Sequence, residues 1–167
     1  MRGSLYDFFA NDHRRLEALL EKAIAGSEGY DMDAYGQFRA GLLRHIKMEE
    51  NILLPAAQKA RGGKPIDIAA KIRLDHGALT ALMVPPPSRA IIGALQRILA
   101  DHDLLEEQPG GMYETLEELT ASETQELLAK ARSTPDVPLH PHRSEPFVLE
   151  ATRRALARAG YNLEDGL

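Results

Sequence analysis

The sequence contains no cysteine, which excludes disulfides, iron–sulfur clusters, zinc–thiolate knuckles and a thiol nucleophile. Any metal held by this chain is therefore held through nitrogen and oxygen. Long blocks of like charge are also missing. The 20 Lys and Arg stand against 25 Asp and Glu, a net charge of −5, and nothing has the basic footprint that nucleic acid or an anionic membrane surface requires. No stretch approaches the roughly 18 apolar residues of a membrane span, and the opening Met1-Arg2-Gly3-Ser4-Leu5 lacks the apolar region of a signal peptide. The expectation is a cytoplasmic protein with small-molecule partners, no nucleic acid and no membrane. Strand-like alternation is absent, and 167 residues suit one compact domain plus an appendage.

What is present is helical period. Phe9, His13, Leu16, Leu20 and Ala23 recur at spacings of three and four, predicting a core-facing helix over 5–25 that Gly26 and Gly29 end. A second stripe, Phe38, Leu42, His45, Glu49, Ile52 and Ala56, follows Asp31 as N-cap and stops at Gly62-Gly63, with Pro55 bending its later part. After Pro65 come Ala69, Ile72, His76, Leu79 and Met83, ended by Pro85-Pro86-Pro87. Ser88 caps a fourth helix with Ile91, Leu95, Ile98, His102, Leu105 and Glu106, before Pro109-Gly110-Gly111 interrupts it. The fold class expected is all-α, an up-down-up-down four-helix bundle over 1–120 with a C-terminal helical extension over 121–167. In that extension a short helix opens at Ser122, a proline-rich linker covers 133–146, and a final amphipathic helix over 147–159 turns Val148, Ala151, Ala155 and Leu156 inward.

Each of the four core stripes carries one histidine, and two of these are followed four residues later by a glutamate: His13, His45 with Glu49, His76, and His102 with Glu106. Positions i and i+4 share a helix face, so each His-x-x-x-Glu pair is a chelate. Left unpaired, a buried polar group costs about 1–3 kcal/mol, and six of them roughly 10 kcal/mol. That is comparable with the whole stability of a domain, about 5–15 kcal/mol, so a metal is the economical explanation. With helices two and four diagonal in the bundle, their glutamates approach from opposite sides and can bridge two ions. His13 and His45 then serve one ion, His76 and His102 the other, leaving room for a solvent-derived bridge and an open position. Imidazole with carboxylate suits iron, manganese or zinc rather than calcium or copper(I).

The run Asn11-Asp12-His13, then His45-Ile46-Lys47-Met48-Glu49-Glu50 through Pro55, then Asp75-His76, then His102-Asp103-Leu104-Leu105-Glu106-Glu107 resembles the haemerythrin-like family, the HHE cation-binding domain. The resemblance covers roughly residues 5–120. It implies a four-helix bundle with a non-haem di-iron centre, oxo- or hydroxo-bridged, spanned by Glu49 and Glu106, with the four histidines as terminal ligands. It implies oxygen binding, or sensing of oxygen, iron, nitric oxide or peroxide. Oxygen carriers of the family place a second histidine four residues from the first on helix three, where this chain has Ile72 and Thr80. The family often follows the second glutamate with a Leu-Phe-Pro type motif, where this chain has Gln108-Pro109-Gly110-Gly111-Met112-Tyr113.

Smaller features carry less. Tyr113 is expected to be a packing aromatic at the bundle end, with reach into the site as the alternative. Glu50 and Glu107 are expected at the surface, and His140 and His142 lie in the linker. The segment from Asp31 lacks the oxygen ligands of a calcium loop, and neither Glu-x-x-His nor His-Glu-x-x-His occurs. Two classes of function follow: a di-iron protein that binds or senses a small molecule, signalling through its helices or extension, or an oxidase or peroxide scavenger using the same centre. No flavin or nicotinamide motif supplies electrons in cis, which favours the first. A homodimer is compatible with either.

Overall fold

A computed structural model describes residues 2–164. The chain is all-α, and no strand occurs among the described residues. None of the described helices is long and apolar enough to cross a membrane. The chain divides into two compact units.

The first unit comprises the described residues up to Asp67 together with Leu105–Leu139. Its helices are α1 (Ser4–Ile24), α2 (Met32–Met48), α3 (Leu54–Ala60), the last turn of α5 (Arg89–Glu107), α6 (Met112–Leu119) and α7 (Thr124–Arg132). The α1 stripe is buried at all five expected positions. Its N-terminus is capped from a distance: the amides of Leu5 and Tyr6 donate to Glu117 Oε1 on α6, satisfying donors that a helix start leaves unpaired. Helices α1 and α2 pack side by side across a short connection that the Asp31 amide closes onto Ala23 O at 2.9 Å. Asp31 is the expected cap, its side chain accepting from the amides of Asp33 and Ala34.

Between α2 and α3 the chain runs as a π-helical turn, Glu49–Leu53, with the Leu54 amide donating to Glu49 O. Pro55 follows at once, lacking an N–H and crowding the preceding turn, so the bend expected there takes the form of a widened turn. Widening carries the stripe forward by one residue. Leu53 and Ala57 are fully buried, whereas the expected Ile52 and Ala56 are only partly so. Gly62 (φ 65°) and Gly63 (φ 94°) then end α3 in the left-handed region. Helix α7 begins at Thr124, two residues beyond the expected opening at Ser122: Ala121–Glu123 form a 3-10 turn, so Ser122 does not cap it. Its C-terminus is held by Arg44, which donates to Ala131 O and Thr134 O.

The second unit comprises Ile68–Leu104 and the described residues from His140 onward. It holds α4 (Ala69–Leu82), most of α5, and α8 (Pro146–Ala159). Ser88 Oγ accepts from the Ile91 amide at 3.3 Å, the cap expected for α5. The end of the proline-rich linker is pinned where the Arg143 amide donates to Val84 O at 3.0 Å. Helix α8 packs on α4 through Val148, Thr152, Ala155, Leu156 and Ala159. Ala151 faces out and Thr152 in, because the Thr152 hydroxyl is satisfied inside its own helix by Val148 O at 2.9 Å.

Candidate metal centre

In the first unit three helices and one turn aim polar groups at a single point. Helix α1 supplies His13, α2 supplies His45, the π turn supplies Glu49, and the last turn of α5 supplies Glu106. One ligand atom from each of these four lies within 4.8 Å of the others, and none is more than 4% exposed. The Nε2 atoms of His13 and His45 are 3.0 Å apart. His13 Nε2 is 3.2 Å from Glu106 Oε2, and His45 Nε2 is 3.2 Å from Glu49 Oε1.

The opposite ring nitrogens face acids. His45 Nδ1 donates to Asp12 Oδ2 at 2.8 Å, and His13 Nδ1 to Glu107 Oε1 at 2.6 Å. A carboxylate at Nδ1 fixes the tautomer that leaves the Nε2 lone pair free for a metal. Both acids are anchored in turn, Asp12 by Arg15 at 2.8 Å and Glu107 by Arg14. Burial raises the Asp12 and Glu107 pKa values, but hydrogen bonds from His45 and His13 and the neighbouring arginines outweigh it, leaving both carboxyls below their ordinary range. Burial lowers the His45 pKa, yet the Glu49 and Asp12 carboxylates outweigh it and the net shift is upward. Glu107 is thus a partner of His13, not the surface charge expected.

Tyr113, expected to be a packing aromatic, stands inside the cluster. Its hydroxyl is 2.6 Å from Glu49 Oε1, 2.9 Å from Glu106 Oε2, 3.1 Å from His13 Nε2 and 3.3 Å from His45 Nε2. Its ring packs against Phe9 (centroids 5.5 Å) and edge-on to Tyr6 (5.9 Å), while the Tyr6 hydroxyl donates to Glu107 O at 2.8 Å. Burial, then Glu106 and Glu49, push the Tyr113 phenol well above its ordinary value of 10.0.

The second unit places His76 and His102 against each other, ring centroids 4.9 Å apart, both buried. His102 Nδ1 lies 3.4 Å from Asp75 Oδ2, and Asp75 Oδ1 accepts from Lys71 Nζ at 2.6 Å. Here again an aspartate preceding one histidine serves the histidine of another helix: Asp12 precedes His13 and holds His45, and Asp75 precedes His76 and faces His102. Glu106 follows His102 by one turn on α5.

Two imidazoles, two carboxylates and a phenol converging out of water suit a cation of nitrogen and oxygen preference, and this donor set on an all-α scaffold defines a metal-binding helical protein. The Hemerythrin HHE cation binding domain model matches residues 4–134, and the chain belongs to that family. No curated protein and no solved structure gives a match.

Proposed function

We propose that the protein binds two non-haem iron ions and uses them to bind or sense a small molecule such as oxygen, nitric oxide or peroxide. In this reading Glu49 and Glu106 are shared between the ions, His13 and His45 complete one position, and His76 and His102 the other. One observation supports it most: His13 and His45 each have Nδ1 engaged by an acid and Nε2 turned toward the other, with Glu49 and Glu106 beside them. Four electron-pair donors facing one point repel unless protons or a cation stand between them. Iron suits the donor set and supplies a redox-active position for a small ligand. The protein's part is to orient both imidazoles through Asp12 and Glu107, so that each Nε2 faces the centre, and to keep water out with Phe9 and Tyr6.

The test is anaerobic loading of the full chain with ferrous iron, metal analysis, and absorption spectra before and after admitting oxygen. Two irons per chain with oxygen-dependent ferric bands are expected. Failure to retain iron, or its displacement by a single zinc, would overturn the reading. Steady consumption of oxygen or peroxide by the loaded protein would move it to the enzyme class.

A further inference from the structure

Resting on the metal reading above, we propose that Tyr113 is itself a ligand, its phenolate oxygen binding the ion held by His13 and His45.

A hydroxyl has one proton to donate and two lone pairs with which to accept. The Tyr113 hydroxyl has four polar neighbours within 3.3 Å, two carboxylate oxygens and two ring nitrogens. With each Nδ1 given to Asp12 or Glu107, both Nε2 atoms and two carboxylate oxygens converge on that single hydroxyl. A cation at the centre would meet all four of these atoms and the phenol oxygen as well. This oxygen is as close to the cluster as the cluster members are to one another, and the tyrosine is 1% exposed. Tyr6, by contrast, directs its hydroxyl to a lone carbonyl, Glu107 O.

The position is held from both sides. Tyr113 is the second residue of α6, and its ring is fixed between Phe9 and Tyr6. The turn before it is closed by the Gly111 amide to Gln108 O at 2.8 Å, with Gly110 in the left-handed region (φ 74°). Phenolate is a hard anionic donor, so it favours ferric over ferrous iron and lowers the charge of a ferric centre by one, easing its burial. In the binding step the Tyr113 O–H bond breaks, the oxygen–iron bond forms, and the proton passes to solvent.

The experiment uses the full chain loaded anaerobically with ferrous iron and then oxidised by ferricyanide, one electron leaving each iron. Visible absorption and resonance Raman spectra are recorded beside metal content. A phenolate-to-ferric charge-transfer band is expected, with tyrosine ring modes that shift when the protein is grown on ring-deuterated tyrosine. Tyr113→Phe should lose that band at least tenfold while retaining most of its iron, and Tyr161→Phe, whose hydroxyl meets Asp101, should keep it. Iron bound by the parent with no deuterium-sensitive ring modes would overturn the ligand assignment and leave the metal reading standing. Absence of bound iron in the parent would overturn both. If Tyr113→Phe fails to fold, Tyr6→Phe, Tyr30→Phe, Tyr35→Phe and Tyr161→Phe, each keeping the parent's band, assign the modes to Tyr113, and loss of the band in one of them would overturn that assignment.

Discussion

Replacing Asp12 with asparagine tests whether the acids behind the histidines tune the centre. Within the cluster Asp12 meets His45, whose Nδ1 it accepts from at 2.8 Å. The amide side chain would keep a carbonyl oxygen at that distance but lose the charge that makes His45 Nε2 a stronger donor. Loss of such an outer partner costs about 10–100-fold in metal affinity, or about 1.4–2.7 kcal/mol. Without metal the change is smaller, since a charge-assisted hydrogen bond exceeds a neutral one by about 1 kcal/mol. For a chain of this size that lowers Tm by roughly 2–4 °C. The assay is anaerobic competition for ferrous iron against a chromophoric chelator, paired with thermal melts of the metal-free protein. Arg15→Ala is the control: it removes the half-exposed partner of Asp12 Oδ1, an ion pair worth about 0–1 kcal/mol, and should leave metal affinity near that of the parent. Affinity of Asp12→Asn within twofold of the parent, in a folded protein, would refute the reasoning.

Glu49→Gln and Glu106→Gln should each sharply reduce metal per chain by elemental analysis, because each removes an anionic oxygen from the same cluster. Full stoichiometry in both variants would rule out the ligand assignment. Gly111→Ala should destabilise by about 1–3 kcal/mol, lowering Tm by roughly 3–10 °C, since an added Cβ would meet the carbonyl oxygens of Leu105, Glu106 and Gln108 at 2.7–2.8 Å. By contrast Gly41→Ala meets only the flexible ends of Leu16 and Arg15, and with the helical preference of alanine it should change stability by less than about 1 kcal/mol. Acid should unfold the metal-free protein through Asp12 and Glu107. Their folded pKa values lie below 3.8 and 4.5, so their stabilisation is full above those values and disappears as pH falls through the folded ones. Urea midpoints followed downward from about pH 5 should fall more steeply for the parent than for Asp12→Asn, and equal slopes would remove Asp12 from the account.

The polar positions on the apolar stripes were legible because burial and period are local properties of the sequence. His13, His45, Glu49, His76, His102 and Glu106 are all buried where the stripes put them, and the caps at Asp31 and Ser88 hold as well. What period misses is whatever changes its own phase. Pro55 signals a disturbance, but only the observed π turn converts it into a one-residue shift that buries Leu53 and Ala57. Partners supplied across long loops are equally hidden. Glu117 caps α1 from more than a hundred residues away, and the direction in which Tyr113 leaves the Gly110-Gly111 turn depends on backbone angles that the residue types permit without specifying.

The role of the aspartates could have been found, since both stand in Asp-His pairs. Consecutive helical residues point about 100° apart, so Asp12 and His13 cannot serve the same point. If His13 faces the centre, Asp12 is turned toward the flank where α2 lies, and the group it meets is His45. The same rotation turns Asp75 away from His76 and toward His102. Glu107 obeys it too: Glu106 faces the cluster, so Glu107 is carried round the helix to His13 Nδ1. In these three cases the polar residue beside a buried site residue meets a histidine of another helix. The pattern to seek in sequence is therefore Asp-His on one helix with His-x-x-x-Glu on the next, and this chain contains it twice, at Asp12-His13 with His45 and Glu49, and at Asp75-His76 with His102 and Glu106.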